Sequence, residues 1–200
     1  MFHGSRRIAA VFLVIAALIP LDAATVSRQN ADVFAKKIVL IQRQGTAPVR
    51  SGSRRTALSQ DEVNSWFAFT AQPLLPNGVT QPQATIVGEG RVAGQAIVDL
   101  DAVAKRRSTG GVLDPWSFIG GRVPVNVTGI LHTQNGMGRF EVQTAQISGI
   151  PVPTTMLQEL LSYYSRTPER PEGVRLDGAF PLPAKIRQIE VGQGQAVVVQ

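Results

Sequence analysis

The residues able to do chemistry in this chain are few and widely spaced. Only His132 lies beyond the extreme N-terminus as a histidine, and it sits at the mouth of an Asn135-Gly136 turn. A catalytic triad would need it beside a serine and a carboxylate, and the chain carries no G-x-S-x-G nucleophile motif. A loop-exposed histidine is the simpler reading. Asp99 and Asp101 are two apart, so a strand would turn both carboxylates to one face. A divalent cation needs more oxygen ligands than that pair supplies. Asp101 reads better as the cap of a short helical turn running into Lys105-Arg106-Arg107. Gly88-Glu89-Gly90-Arg91-Val92-Ala93 matches the dinucleotide fingerprint G-x-G-x-x-A. That fingerprint works only where the glycines end a strand and open a helix. Here the following residues read as a strand, so the glycines mark a hairpin turn. Asn126-Val127-Thr128 is a glycosylation sequon inside an expected strand and is read as incidental. With no cysteine anywhere, disulfides and thiolate metal sites are closed. No constellation specifies a reaction, a cofactor or a metal, and the expectation is a protein that is not an enzyme.

The elements that would position these residues follow from periodicity. Asn30 to Gln42 places Val33, Phe34, Ile38 and Ile41 at near-helical spacing. Gly45 to Arg55, rich in Gly, Ser, Pro and Arg, reads as a linker. Ser59 with Glu62 forms a capping box ahead of a helix carrying Val63, Trp66 and Phe67. Strand signals then dominate, with hairpins expected around Glu89-Gly90, Asn135-Gly136 and Gly192-Gln193-Gly194. Val123, Val125 and Val127 alternate with polar residues or proline, and Phe140, Val142 and Thr144 return on the partner strand. A last long helix starts near Thr154, where Thr155 and Gln158 would form a capping box. Its Met156, Leu157, Leu160, Leu161 and Tyr164 make one apolar stripe. The fold class is α+β: a curved antiparallel sheet of six or seven strands built from hairpins, with two or three helices packed on one face.

The N-terminus reads as a signal for export. Arg6 and Arg7 precede an uncharged apolar run, Ile8 to Ile19, that Pro20 breaks before Leu21-Asp22-Ala23-Ala24. The run is shorter than the roughly 20 residues a bilayer core requires. An uncleaved anchor is the alternative. The expected organisation is a signal peptide over 1–24, an N-terminal helix and linker over 25–55, and one α+β domain over 56–200. Loss of two arginines and one aspartate with the leader takes the net charge from +6 to +5. A modest positive field suits anionic partners such as a membrane surface. Nucleic acid is not expected, because no basic stretch is interleaved with aromatics.

Four stretches carry a resemblance: Leu58 to Phe67 (LSQDEVNSWF), Gly90 to Asp101 (GRVAGQAIVDLD), Gly149 to Pro153 (GIPVP) and Phe180 to Val191 (FPLPAKIRQIEV). Together they resemble a group of uncharacterised exported bacterial proteins. More remotely, they are similar to periplasmic lipid-binding proteins of the tubular, TULIP-like superfamily. The resemblance covers about residues 56–200, and Asn64 matches that family's helix asparagine. It implies a curved sheet wrapping a helix and leaving an apolar groove, with no ligand-contacting residue to carry over.

The resulting expectation is a periplasmic or secreted binding protein that holds a lipid or other hydrophobic ligand between sheet and helix. Val125, Val127, Phe140, Val142, Met156, Leu160 and Tyr164 would line the groove, with Trp116 and Phe118 near its mouth. Arginines at the rim would steer anionic headgroups. The alternative is a cell-envelope scaffold with a fully packed core, whose partner is another envelope protein.

Overall fold

Helix α1 (Arg28–Thr46) begins where Ser27 Oγ accepts the Asn30 amide at 3.1 Å. Its buried residues, Ala31, Phe34, Ile41 and Gly45, follow the helical repeat and form one stripe. The helix runs to Thr46, past the expected Gln42, because Gly45 lets another segment close on its last turn. A Cβ at Gly45 would lie 2.5 Å from the Ala184 carbonyl oxygen. The computed structural model describes residues 26–48, 52–99, 101, 121–165 and 171–200. The leader over 1–24, Trp116 and Phe118 therefore lie outside the described residues. Of the expected linker, Gly45 belongs to α1 and Arg55 opens strand β1 (Arg55–Ser59), where it pairs with Val199.

Ser59 closes β1 and caps α2 (Gln60–Phe69). The capping box forms as expected: Ser59 Oγ accepts the Glu62 amide at 3.2 Å, and Glu62 Oε2 accepts the Ser59 amide at 3.0 Å. Glu62 also receives Lys37 of α1 at 2.6 and 2.8 Å, and Lys37 donates to the Ala57 carbonyl at 2.7 Å. One carboxylate thus joins α1, β1 and α2.

The larger sheet is a meander of β2 (Val79–Gly88), β3 (Arg91–Asp99), β4 (Arg122–Gln134), β5 (Met137–Ile147) and β6 (Ile150–Pro151), in that spatial order. A short β7 (Phe180–Pro181) pairs with β5 near its start, giving six antiparallel strands. Three of its turns are built alike. Glu89-Gly90, Asn135-Gly136 and Ser148-Gly149 all place both residues at positive φ, between 51° and 80°. That is the type I′ geometry, whose twist matches the strands it joins. The last of these turns, with a serine first, carries no strong sequence signal. Register shifts at Thr80/Gln83, Ile86/Gly88 and Thr128/Gly129 are bulges that bend the strands.

The third expected hairpin, β8 (Gln188–Gly192) with β9 (Gln195–Val199), forms a sheet of its own. β9 lies between β8 and β1, so the strand before α2 pairs with the end of the chain. The fold is α+β with an antiparallel sheet, completed by helix α3 (Thr154–Ser165), which touches β5. The capping box proposed at Thr155 does not form. The helix starts at Thr154, with the Leu157 amide bonded to the Pro153 carbonyl, so the third helical position is Met156 and Gln158 lies two residues too far along. The Gln158 carboxamide instead accepts the Leu176 amide at 2.7 Å and donates to Ser162 Oγ and the Val174 carbonyl. It ties the segment after α3 back onto the helix.

The buried apolar cluster lies between α1, α2 and the three-stranded sheet. It comprises Phe34, Ile41, Leu58, Leu182, Ile186 and Val198, with Ile38, Val63, Trp66 and Ile189 packed around them.

Candidate functional site

Alternation along a strand sends successive side chains to opposite faces, and paired residues share a face. The register can therefore sort the larger sheet. Val125 pairs with Ile147, Val127 with Ala145, Gly129 with Val142 and Leu131 with Phe140. On the other side of β4, Val123 pairs with Val98, Val125 with Ala96 and Val127 with Gly94. The bulge at Thr128/Gly129 keeps Phe140 and Val142 on the same face as Ala145 and Ile147, by absorbing one residue of β5. All four strand residues expected to line a groove, Val125, Val127, Phe140 and Val142, thus share a face with Val92, Ala96, Val98, Val123, Leu131 and Ile147. The opposite face carries Arg91, Gln95, Arg122, Asn126, Thr128, His132, Arg139, Glu141 and Thr144.

The apolar face is only partly covered. Ile86 and Ala145 are buried, whereas Val92, Ala96, Val98, Val123, Val125, Val127, Leu131, Phe140, Val142 and Ile147 are half-buried. The small sheet closes one end of the larger one. Thr133 Oγ1 accepts the Ile189 amide at 2.8 Å and donates to the Ile189 carbonyl at 2.9 Å. Gly90 donates to the Val191 carbonyl at 3.4 Å. At the far side α3 approaches β5. Met156 is half-buried on α3; Leu160 and Tyr164 lie on that helix, but their side chains are outside the described residues. A cleft of about 170 Å³ opens between Phe140, Val142, Thr154 and Leu176, bordered by Arg139, Glu141 and Asp177. It is smaller than a closed ligand cavity, which runs from roughly 300 Å³ upward. An occupant of this region would lie along the face rather than inside a closed chamber.

The edge of β2 is sealed by side chains of α2. Asn64 accepts the Ala84 amide at 2.7 Å and donates to the Ala84 carbonyl at 2.9 Å, so its carboxamide acts as a missing strand. Gln60 accepts the Ile86 amide at 2.8 Å. These contacts cover backbone groups that would otherwise template pairing with another chain. Beside them, Gln81 at φ 52° and Pro82 bulge out of β2 and border a cleft of about 530 Å³ with Val26, Asn64, Phe67 and Gln72. Sequence reasoning missed this cleft. Pro82 lies ahead of the strand expected from Ala84, whereas β2 begins at Val79.

The polar candidates do not converge. His132 lies within β4, three residues before Asn135 of the turn, rather than in a loop. It is exposed, and its Nε2 is 3.0 Å from Glu141 Oε2. Asp101 Oδ2 accepts the Gly121 amide at 3.1 Å, and Asp99 ends β3. Among the described residues no three His, Cys, Asp or Glu side chains are grouped to hold a metal ion. Two carboxylates lie below their ordinary pKa range: Glu190, through its hydrogen bonds from Arg55, and Asp177, through those from Arg175. Both pairs are on the surface and lie apart from any catalytic arrangement. Gly88 to Ala93 spans the β2–β3 turn, so its glycines face no helix N-terminus. No described helix is long and apolar enough to cross a membrane. Compared with known protein families, curated proteins and solved structures, the chain gives no match.

Proposed function

We propose that this chain is an exported, non-enzymatic binding protein that holds a lipid or other hydrophobic ligand along the apolar face of its larger sheet, beside α3. The observation that carries the reading is the face itself. Ten apolar side chains from three strands line it and stay half-buried, while the buried cluster forms elsewhere. Apolar surface left at the water boundary over several strands marks a binding region. The residues act by desolvating the ligand, at roughly 25 cal/mol for each Å² of apolar area removed from water. The sequence resemblance to tubular lipid-binding proteins and the apolar leader point the same way.

The test is native mass spectrometry of the chain from Thr25 onward, purified from a bacterial periplasm, followed by organic extraction. Added mass that extracts as lipid is the expected result. A double variant, Val125→Thr with Val127→Thr, keeps side-chain shape while adding hydroxyls to the face. It should lose the bound mass with its circular dichroism unchanged. A clean apo mass, with no uptake when lipid is supplied, would overturn the proposal in favour of an envelope scaffold.

A further inference from the structure

Three exposed apolar side chains gather at one end of the α1–α2 pair. Val26, Phe69 and Leu74 are 46%, 42% and 71% exposed. The Ser27 amide donates to Ser65 Oγ at 3.1 Å, which sets the start of α1 against the second half of α2. Val26 then shares a cleft wall with Phe67, Ala68 and Gln72. The guanidinium carbon of Arg28 stands 4.9 Å from the centre of the Phe69 ring.

Leu74 is carried on a braced turn. Gln72–Leu74 forms a single 3-10 turn that contains Pro73, and Pro76 follows it. The Leu74 amide donates to the Ala71 carbonyl at 2.8 Å, and the Val79 amide donates to the Pro76 carbonyl at 3.0 Å. Backbone fixed in this way has little freedom left to lose when the side chain it carries is covered. From Phe69 to Val79 the chain has no charged residue, and from Val26 to Ala31 its only charge is Arg28. Asp32, one turn further along, is the first acid of α1.

We infer that this end of the helical pair docks on an anionic lipid bilayer, with Leu74 and Phe69 at the boundary of headgroups and acyl chains and Arg28 meeting lipid phosphate. Apolar side chains grouped beside a cation suit that boundary, where acyl carbon and headgroup charge lie together. The N-terminal sequence sets the bilayer on the same side. Six residues, Pro20 to Thr25, separate the apolar run Ile8 to Ile19 from Val26. An extended chain covers at most about 3.6 Å per residue, so Val26 stays within roughly 25 Å of that run when a membrane holds it. Of the exposed apolar groups, those beside Val26 are the ones this tether keeps at the bilayer. Once the run is cleaved, docking falls to the patch alone. The patch shares no residue with the apolar sheet face, so the inference does not rest on the hydrophobic-ligand proposal.

The experiment is co-sedimentation of the chain from Thr25 onward with vesicles of phosphatidylcholine, alone and with phosphatidylglycerol added. The chain should partition onto the mixed vesicles and more weakly onto phosphatidylcholine, with the difference lost at high salt. Leu74→Ser should lower partitioning about tenfold, as expected when one leucine no longer reaches acyl chain. Arg28→Gln should lower it about fivefold on mixed vesicles only. Ile150→Ser, at a position 69% exposed on β6, is the control and should partition as the parent does. All three positions are exposed, so each variant should keep the parent melting temperature. No partitioning onto mixed vesicles, or an equal loss in the Ile150 control, overturns the inference. A concentration-dependent dimer that Leu74→Ser dissolves, without vesicle binding, would assign the patch to a second copy and also overturn it. The Val125/Val127 double variant should keep its vesicle binding. Loss in that variant with Leu74→Ser unaffected would move the lipid contact to the sheet, so the two proposals fail separately.

Discussion

The α1–α2–small-sheet region and the apolar face of the larger sheet have similar residue types but different burial. In the first, Phe34, Ile41, Leu58, Ile186 and Val198 are all less than one-tenth exposed, and the Phe34 and Trp66 rings stand 5.4 Å apart. In the second, valines at comparable density remain half-buried. The first region is assembled by contacts distant in sequence, with β1 paired to β9 and α1 packed on α2. The second is a meander whose neighbours are joined mostly by two-residue turns. Tight burial and long-range closure therefore occur together, and the locally built sheet carries the surface left free for a partner.

Four measurements would break or sharpen that contrast. Phe34→Ala should cost about 3–5 kcal/mol in urea unfolding, the range for a buried aromatic removed from a close-packed cluster. Gly45→Ala should cost about 1–3 kcal/mol, since its new methyl group meets the Ala184 backbone at 2.5 Å and neither segment can yield freely. Asn64→Ala should also cost about 1–3 kcal/mol, because it strips both partners from the Ala84 backbone; amide exchange at Ala84 should quicken. Val127→Ala should cost about 1 kcal/mol or less, below the range for full burial, yet weaken hydrophobic-ligand retention. A loss as large as that of Phe34→Ala would make the face ordinary core.

The smallest effect belongs to the surface pair Arg55–Glu190. Hydrogen bonds from Arg55 lower the Glu190 pKa from its ordinary 4.5. A carboxyl with a lowered folded pKa stabilises the fold above its ordinary value, and the contribution is lost as pH falls through the folded value. Glu190→Gln should leave the neutral-pH melting temperature almost unchanged and flatten its decline below pH 4.5. An equal decline in both proteins would show that the pair contributes nothing.

Much of the local structure was legible in the residues. Ser59 and Glu62 announce their helix start, Asn135-Gly136 announces its hairpin, and the Val123-Val125-Val127 alternation places the apolar face correctly. Each depends on chemistry within a few residues, which neighbouring sequence contains in full. Asn64 could be named from the sequence, but its task could not, because its partner Ala84 is 20 residues away.

The sequence by itself thus determined the three long helices, the longer strands of the hairpins and most of their turns, because torsional preference, capping and side-chain alternation act over short range; the short strands β1, β6 and β7 were not among them. Only the tertiary structure decided that the last hairpin joins β1 instead of the larger sheet, that α1 helps form the buried cluster, and that the valine face is left half-covered. Strand pairing offers similar backbone hydrogen bonds to many partners. Which pairing prevails depends on the apolar area closed by the whole chain, a sum that no single segment contains.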